Sequence, residues 1–141
     1  MSAWRRKALR LFPEVRTELE EGDSSISDFF FALIPLAAAA HRPPEHSEVL
    51  RRVHGFVEWC LHQGGELRDA AGIGFYEDLF HEGIDWSLLV PWLSPFVLAE
   101  LERTWAYKYP DRSAEFQKLV ASRRRHAYRD HAYATGEIDS L

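Results

Sequence analysis

The chain has 141 residues and a mass of 16.4 kDa, a length that favours one domain with its own hydrophobic core. Its residues are 46% hydrophobic and 28% charged, which is typical of a folded globular protein and not of a disordered one. The formal net charge of −5 argues against general binding to nucleic acids or anionic membranes, because phosphate groups repel an acidic protein.

In the N-terminal third of the chain, the sequence pattern predicts helices that are interrupted or ended by prolines. Apolar residues recur every three or four positions from Trp4 to Leu19, and Pro13 should kink or split this helix. Ser25 is a plausible N-cap for a second helix that runs toward His41. That helix contains an uncharged run at residues 29–40, far shorter than the ~20 apolar residues that cross a bilayer, so we expect a buried central helix.

The third predicted helix, from about Glu45 to Gln63, has the clearest amphipathic pattern. Gly64 and Gly65 should end it. The helical period then resumes, and two glycines inside it, Gly72 and Gly74, predict the close approach of a neighbouring helix. The apolar stripe of the third helix consists of Val49, Leu50, Val53, Phe56, Val57, Cys60 and Leu61.

The C-terminal half continues the helical pattern to about residue 123. A short turn carries Trp86 and Trp92, which we expect to be exposed, and Ser94 followed by Pro95 predicts the start of another helix. The chain after about residue 123 is predicted to be an exposed tail. Because no stretch alternates polar and apolar residues, we predict a single all-α domain over residues 1–141, with about six antiparallel helices in a bundle or a short α-solenoid-like stack of helical hairpins.

His54, Glu58 and His62 lie four residues apart on the third helix, as metal ligands on one helix would. They project from the face opposite the apolar stripe, and no second ligand set is found on another helix. A solvated or helix-edge polar face with i, i+4 pairing is therefore the favoured interpretation, and a metal-dependent enzyme that uses these three residues is an alternative.

No motif in the sequence supports catalysis or a cofactor. The single cysteine, Cys60, cannot form an intramolecular disulfide, which fits a cytoplasmic protein. The Gly72-Ile73-Gly74 sequence lacks the third glycine and the preceding strand of a dinucleotide loop. We therefore predict a non-enzymatic protein without cofactors or metal.

The basic segment from Arg123 to Arg129 permits another interpretation, contact with RNA through arginine and Tyr128. A solvated helix end is favoured over it, because arginine is also common near helix C-termini. An RNA-binding accessory protein is kept as a further alternative.

The acidic residues are concentrated in two regions of the chain. Residues 11–30 and residues 61–90 each contain six acidic side chains and one arginine, whereas residues 1–10 contain four basic side chains and no acidic one. Such regions attract a basic partner. The candidate contacts are Glu20, Glu21, Asp23, Glu77, Asp78, Glu82 and Asp85.

From the third helix onward the sequence resembles a bacterial family of small, acidic, all-helical proteins, some of which are encoded beside toxin genes as candidate immunity proteins. The resemblance depends on the segments at residues 56–61, 70–79, 93–95 and 101–105. It implies no catalytic residues. Together with the two acidic regions, it leads us to expect an immunity-type antitoxin whose protein partner is a basic effector such as a bacterial toxin.

Overall fold

The computed structural model describes residues 2–20, 24–108, 110–125, 129 and 131–139. This part of the chain is helical and contains no strand, which confirms the all-α prediction. A π-helix at Ala70–Tyr76 joins α5 to α6, and short 3₁₀ turns lie at Pro13–Val15, Val90–Trp92 and Pro110–Arg112. The α-helices are α1 (Ala3–Leu11), α2 (Arg16–Glu20), α3 (Ile26–His41), α4 (Ser47–Gln63), α5 (Gly65–Asp69), α6 (Glu77–His81), α7 (Trp86–Leu89), α8 (Pro95–Lys108) and α9 (Ser113–Arg125).

The helix ends follow the predicted capping and proline positions. The Ser25 hydroxyl accepts a hydrogen bond from the Asp28 backbone N–H (3.1 Å), and the Asp28 carboxylate accepts one from the Ser25 N–H (3.0 Å). These two bonds satisfy donors that the first turn of α3 leaves unpaired. Pro13 separates α1 from α2, as expected of a residue that cannot continue a helix. None of the described helices has the length and hydropathy needed to span a bilayer.

The centre of the core is a group of aromatic rings where α1, α3 and α4 meet. The Phe12 ring lies 5.7 Å from the Phe29 ring and 5.6 Å from the Phe56 ring, and Phe29 and Phe56 are in edge contact at 5.6 Å between centroids. All three side chains are fully buried. Edge-to-face pairs at such distances add about 0.5–1.5 kcal/mol each beyond the burial of their area.

The two glycines of the π-helix differ in what surrounds them. A methyl group added at Gly72 would meet the Leu61 side chain at 3.6 Å, an ordinary packing contact. At Gly74 no atom lies within 4 Å of the same position. The predicted close approach of another helix is therefore wrong at Gly74, which borders open space.

The C-terminal segment packs against α4. His131, Ala132 and Ile138 are fully buried, so the predicted exposure of the tail is wrong for these residues. The Ala132 N–H donates to the Arg51 carbonyl (3.3 Å), and the Lys7 ammonium donates to the Ile138 carbonyl (2.7 Å). These contacts hold the segment at residues 131–139 across the side of α4 that faces away from the phenylalanine cluster.

Candidate functional site

The face of α4 that carries His54, Glu58 and His62 is covered by other parts of the chain. His54 is 0% exposed and Glu58 is 4% exposed, so the predicted solvated polar face is wrong for both. Only His62 reaches the surface, with about a third of its side chain exposed (32%). Two segments distant in sequence cover this face, the C-terminal segment and the start of α8.

The inner part of this polar cluster is a pair of histidines from α3 and α4. The Nε2 atoms of His41 and His54 are 2.9 Å apart, so one imidazole donates a hydrogen bond to the other. Nδ1 of His54 lies 3.4 Å from the Tyr76 hydroxyl. The Trp92 ring stacks on His54 at 5.9 Å, and Trp92 is 3% exposed, which corrects the prediction that it lies at the surface.

The outer part of the cluster is organised around the Glu58 carboxylate. The Ser94 hydroxyl donates to Oε1, and Nε2 of His131 faces the same oxygen at 3.6 Å. Nδ1 of His131 accepts from the Ala134 N–H (3.3 Å), so the proton of a neutral His131 is on Nε2, toward the carboxylate. On the other side, Nε2 of His62 lies 3.7 Å from Oε2.

Burial controls the charges in the cluster. It lowers the pKa of His41 to about 4 and the pKa of His54 well below its usual value, so both rings are neutral at physiological pH. Burial also opposes ionisation of Glu58, but hydrogen bonds from His131 and Ser94 outweigh this effect and lower its pKa. The cluster therefore contains one buried carboxylate close to a neutral pair of histidines, His41 and His54.

The polar atoms of this cluster form hydrogen bonds with other parts of the same chain. Within the part of the chain that the structure describes, no group of three or more histidine, cysteine or carboxylate side chains could hold a metal ion. Burial raises the pKa of the Cys60 thiol, which keeps it protonated and makes it a poor nucleophile. The contacts instead attach the C-terminal segment and the start of α8 to α4, since Ser94 also accepts from the Val97 N–H (3.2 Å).

The acidic residues predicted to contact a partner differ in their exposure and in their hydrogen-bond or ion-pair partners. Glu20, on α2, is exposed and pairs with Arg16. Glu21 and Asp23 lie outside the described residues. Glu77 and Asp78 are half-buried on α6, Glu82 follows it, and Asp85 accepts hydrogen bonds from the Ser87 side chain (2.8 Å) and backbone (2.9 Å) at the start of α7.

Ion pairing distinguishes several acidic residues of the α5–α6 region from many of those elsewhere in the described chain. Many of those outside the α5–α6 region face an arginine: the pairs are Glu14 with Arg52, Glu45 with Arg129, Glu48 with Arg51, Glu100 with Arg68, and Glu137 with Arg51. Four acidic residues on α5, on α6 or directly after α6 have no cationic partner among the described residues: Glu66, Asp69, Asp78 and Glu82. The unbalanced negative charge of this region therefore belongs to α5 and α6.

The basic segment proposed to contact RNA has one fully described arginine side chain. Arg129 pairs with Glu45, and its guanidinium lies 4.7 Å from the centre of the Trp92 ring. Its backbone N–H donates to the Pro91 carbonyl (2.8 Å). The side chains of Arg123 to Arg125 are outside the described part of the structure. Arg129 thus has an intramolecular role, holding the C-terminal segment to the loop before α8.

The sequence of residues 5–106 matches a family described as a domain of unknown function, DUF7674. The chain belongs to this family. No curated protein and no solved structure matches it significantly. The DUF7674 region extends from within α1 to near the end of α8 and includes His54, Glu58 and Ser94, whereas His131 and the rest of the C-terminal segment lie beyond it.

The residues that complete the buried cluster of this DUF7674 protein, His41, Tyr76, Ser94 and His131, were not predicted as a group. They come from four separate elements, so no spacing pattern links them. One sequence feature did mark the covered face. Gly55 lies between His54 and Glu58, and a glycine in a helix interior costs about 1 kcal/mol relative to alanine, which favours it where another backbone approaches.

Proposed function

We propose that this protein is a non-enzymatic interaction module, an immunity-type antitoxin that binds a basic effector protein through the acidic surface of α5 and α6. The observation that carries this proposal is the unequal pairing of its carboxylates. Glu48 on α4 and Glu100 on α8 pair with arginines of the same chain, but Glu66, Asp69, Asp78 and Glu82 have no cationic partner among the described residues.

Unpaired carboxylates on one side of a protein have a direct effect on association. Their negative potential attracts a positively charged protein and raises the association rate, and the effect weakens as salt screens it. A nuclease or another effector with a positive cleft is the kind of partner that such a surface suits, because the carboxylates can take the place of phosphate groups. Asp78 and Glu82 are separated by one helical turn, so they present adjacent charges to such a partner.

The two alternatives have less support. A metal-dependent enzyme would need His54, Glu58 and His62 to turn toward a common ion, but His54 faces His41 and Glu58 faces Ser94 and His131. An RNA-binding role would need Arg129 to be available, but it is paired with Glu45. The acidic surface is therefore the site on which the proposal rests.

The test is an association experiment with the purified product of the neighbouring gene. Stopped-flow or surface binding kinetics would measure the association rate at about 20 mM and 150 mM salt. We expect the rate to fall with salt, and the Asp78→Asn, Glu82→Gln double variant to lower the low-salt rate by about threefold to tenfold.

Glu48→Gln, Glu137→Gln is the matched control, since it removes the same charge from carboxylates that pair with Arg51. We expect this control to change the association rate by less than twofold. The proposal fails if the neighbouring gene product does not bind, or if both double variants slow association equally.

A further inference from the structure

An apolar groove lies between α3 and the π-helix, on the acidic side of the molecule. Phe31 borders it and is 66% exposed, more than any other large apolar side chain among the described residues. Ile34 and Ala70 line the groove, and its volume is about 100 Å³. The exposed Phe31 ring and the concave apolar surface beside it offer a partner one continuous apolar contact.

The groove is bordered by a glycine of the π-helix, Gly74. A π-turn adds a residue to the helix and is frequent at functional sites. Gly74 lies on this turn and lines the groove, and no atom lies within 4 Å of the position where its side chain would begin. Glycine destabilises a helix relative to alanine, and no close contact within the described chain requires a glycine at this position.

The walls of the groove have one sign of charge. Asp78 lines it directly. Helix α3 contains Asp28 and neither lysine nor arginine, and residues 69–85 contain five acidic side chains and no basic one apart from His81. Among the described residues neither lysine nor arginine lines the groove, and a segment bound here would meet the Asp78 carboxylate beside its apolar contact, so the groove is complementary to a cationic segment.

We infer that this groove is the anchoring point of the basic partner: it takes one apolar side chain, flanked by lysine or arginine, from the partner's docking segment. The inference rests on the proposed function and adds the contact that would hold the complex once charge has brought it together. Interfaces typically have such an apolar anchor in a pocket, surrounded by polar residues that exclude water. A cavity of about 150 Å³ can hold benzene, so the smaller groove suits one branched aliphatic side chain.

Two labelled peptides provide a direct probe. Both are ten residues long and lysine-rich, and they differ only at a central position, which is leucine in one and serine in the other. Fluorescence anisotropy would measure their affinities at low salt. We expect the leucine peptide to bind about tenfold more tightly, and amide NMR shifts to concentrate at Phe31, Gly74 and Asp78.

Two variants test whether the groove causes this preference. Phe31→Ser removes one wall, and Gly74→Leu fills the groove from its open side. Each should reduce the leucine preference to less than twofold, and thermal unfolding would verify that each variant is folded. Phe96→Ser is the matched control, because Phe96 is the other exposed large apolar side chain in the described residues (36%); it should leave the preference unchanged.

The outcomes separate this inference from the proposed function. If the two peptides bind equally to the wild type, or if Phe31→Ser and Gly74→Leu keep the tenfold preference, the anchoring groove is wrong. Loss of affinity for both peptides in Asp78→Asn, Glu82→Gln would then still support an acidic docking surface. If neither peptide binds, even at low salt, both the groove and the acidic surface are wrong as sites for a basic segment.

Discussion

At the scale of single residues, His41 is the least satisfied polar side chain in the described part of the protein. Its Nδ1 is buried and has no hydrogen-bond partner, while its Nε2 is shared with His54 at 2.9 Å. Protonating both rings would place two positive charges in contact inside the core. The pair is therefore stable only while it is neutral, and its stability must depend on pH.

We expect the titration of His41 alone to lower the free energy of unfolding by about 2 kcal/mol as the pH drops from 7 to 5. The pKa of His41 is about 4 in the folded protein and about 6.5 when the chain is unfolded, so the unfolded chain binds the extra proton first. The stabilisation is complete above pH 6.5 and is lost as the pH falls toward 4. Urea unfolding at several pH values measures it.

The variant His41→Gln is the control for this pH effect. Glutamine can still exchange a hydrogen bond with His54 but does not titrate, so the variant should lose less stability than the wild type over the same pH range. Equal losses in both proteins, or no loss in the wild type, would show that the histidine pair is not responsible.

At the scale of elements, α4 and the C-terminal segment pack so closely at Gly55 that an additional methyl group would not fit between them. A methyl group added at Gly55 would lie 2.8 Å from the Ala132 side chain and 2.8 Å from the Tyr133 backbone nitrogen. Gly55→Ala should therefore push the segment away and cost about 1–3 kcal/mol of stability, despite the better helix propensity of alanine.

Hydrogen exchange localises this effect. The Ala132 amide donates a hydrogen bond to the Arg51 carbonyl on α4, and the amides of Thr135 and Ile138 donate to carbonyls within the C-terminal segment. All three amides should exchange faster in Gly55→Ala. Gly74→Ala is the matched control, since nothing occupies the space around Gly74, and it should leave these amides protected. If Gly55→Ala keeps full protection, the close packing of the segment on α4 is refuted.

The elements also show which parts of the structure the sequence can predict. The bounds of α3 follow from local chemistry, the capping residues Ser25 and Asp28 at one end and two prolines beyond the other, so residue patterns are sufficient. The burial of Glu58 is different, because it is caused by Ser94 and His131, which are each more than 30 positions away in the sequence. A helical pattern separates the apolar face from the polar face, but it cannot tell which distant segment covers the polar one.

At the scale of the whole molecule, the charges that hold the fold together are separate from those that are proposed to bind a partner. Arg52 contacts Glu14 through two nitrogens, at 3.0 and 2.8 Å, and also donates to the Leu11 carbonyl, which ties the end of α1 to α4. The hydrogen bond from Arg52 lowers the pKa of Glu14. Glu82, in contrast, is exposed at the C-terminal end of α6, where a negative charge opposes the helix dipole.

Two variants with the same change in net charge should therefore affect stability in opposite ways. Glu14→Gln weakens a partly buried, two-point ion pair and should lower the free energy of unfolding by about 1 kcal/mol. Glu82→Gln removes an unfavourable charge at a helix end and should leave the Tm unchanged or raise it slightly. Differential scanning calorimetry of both variants beside the wild type measures the difference. A lower Tm in Glu82→Gln than in Glu14→Gln would mean that Glu82 stabilises the fold, and it could then no longer be regarded as a charge that is free to attract a partner.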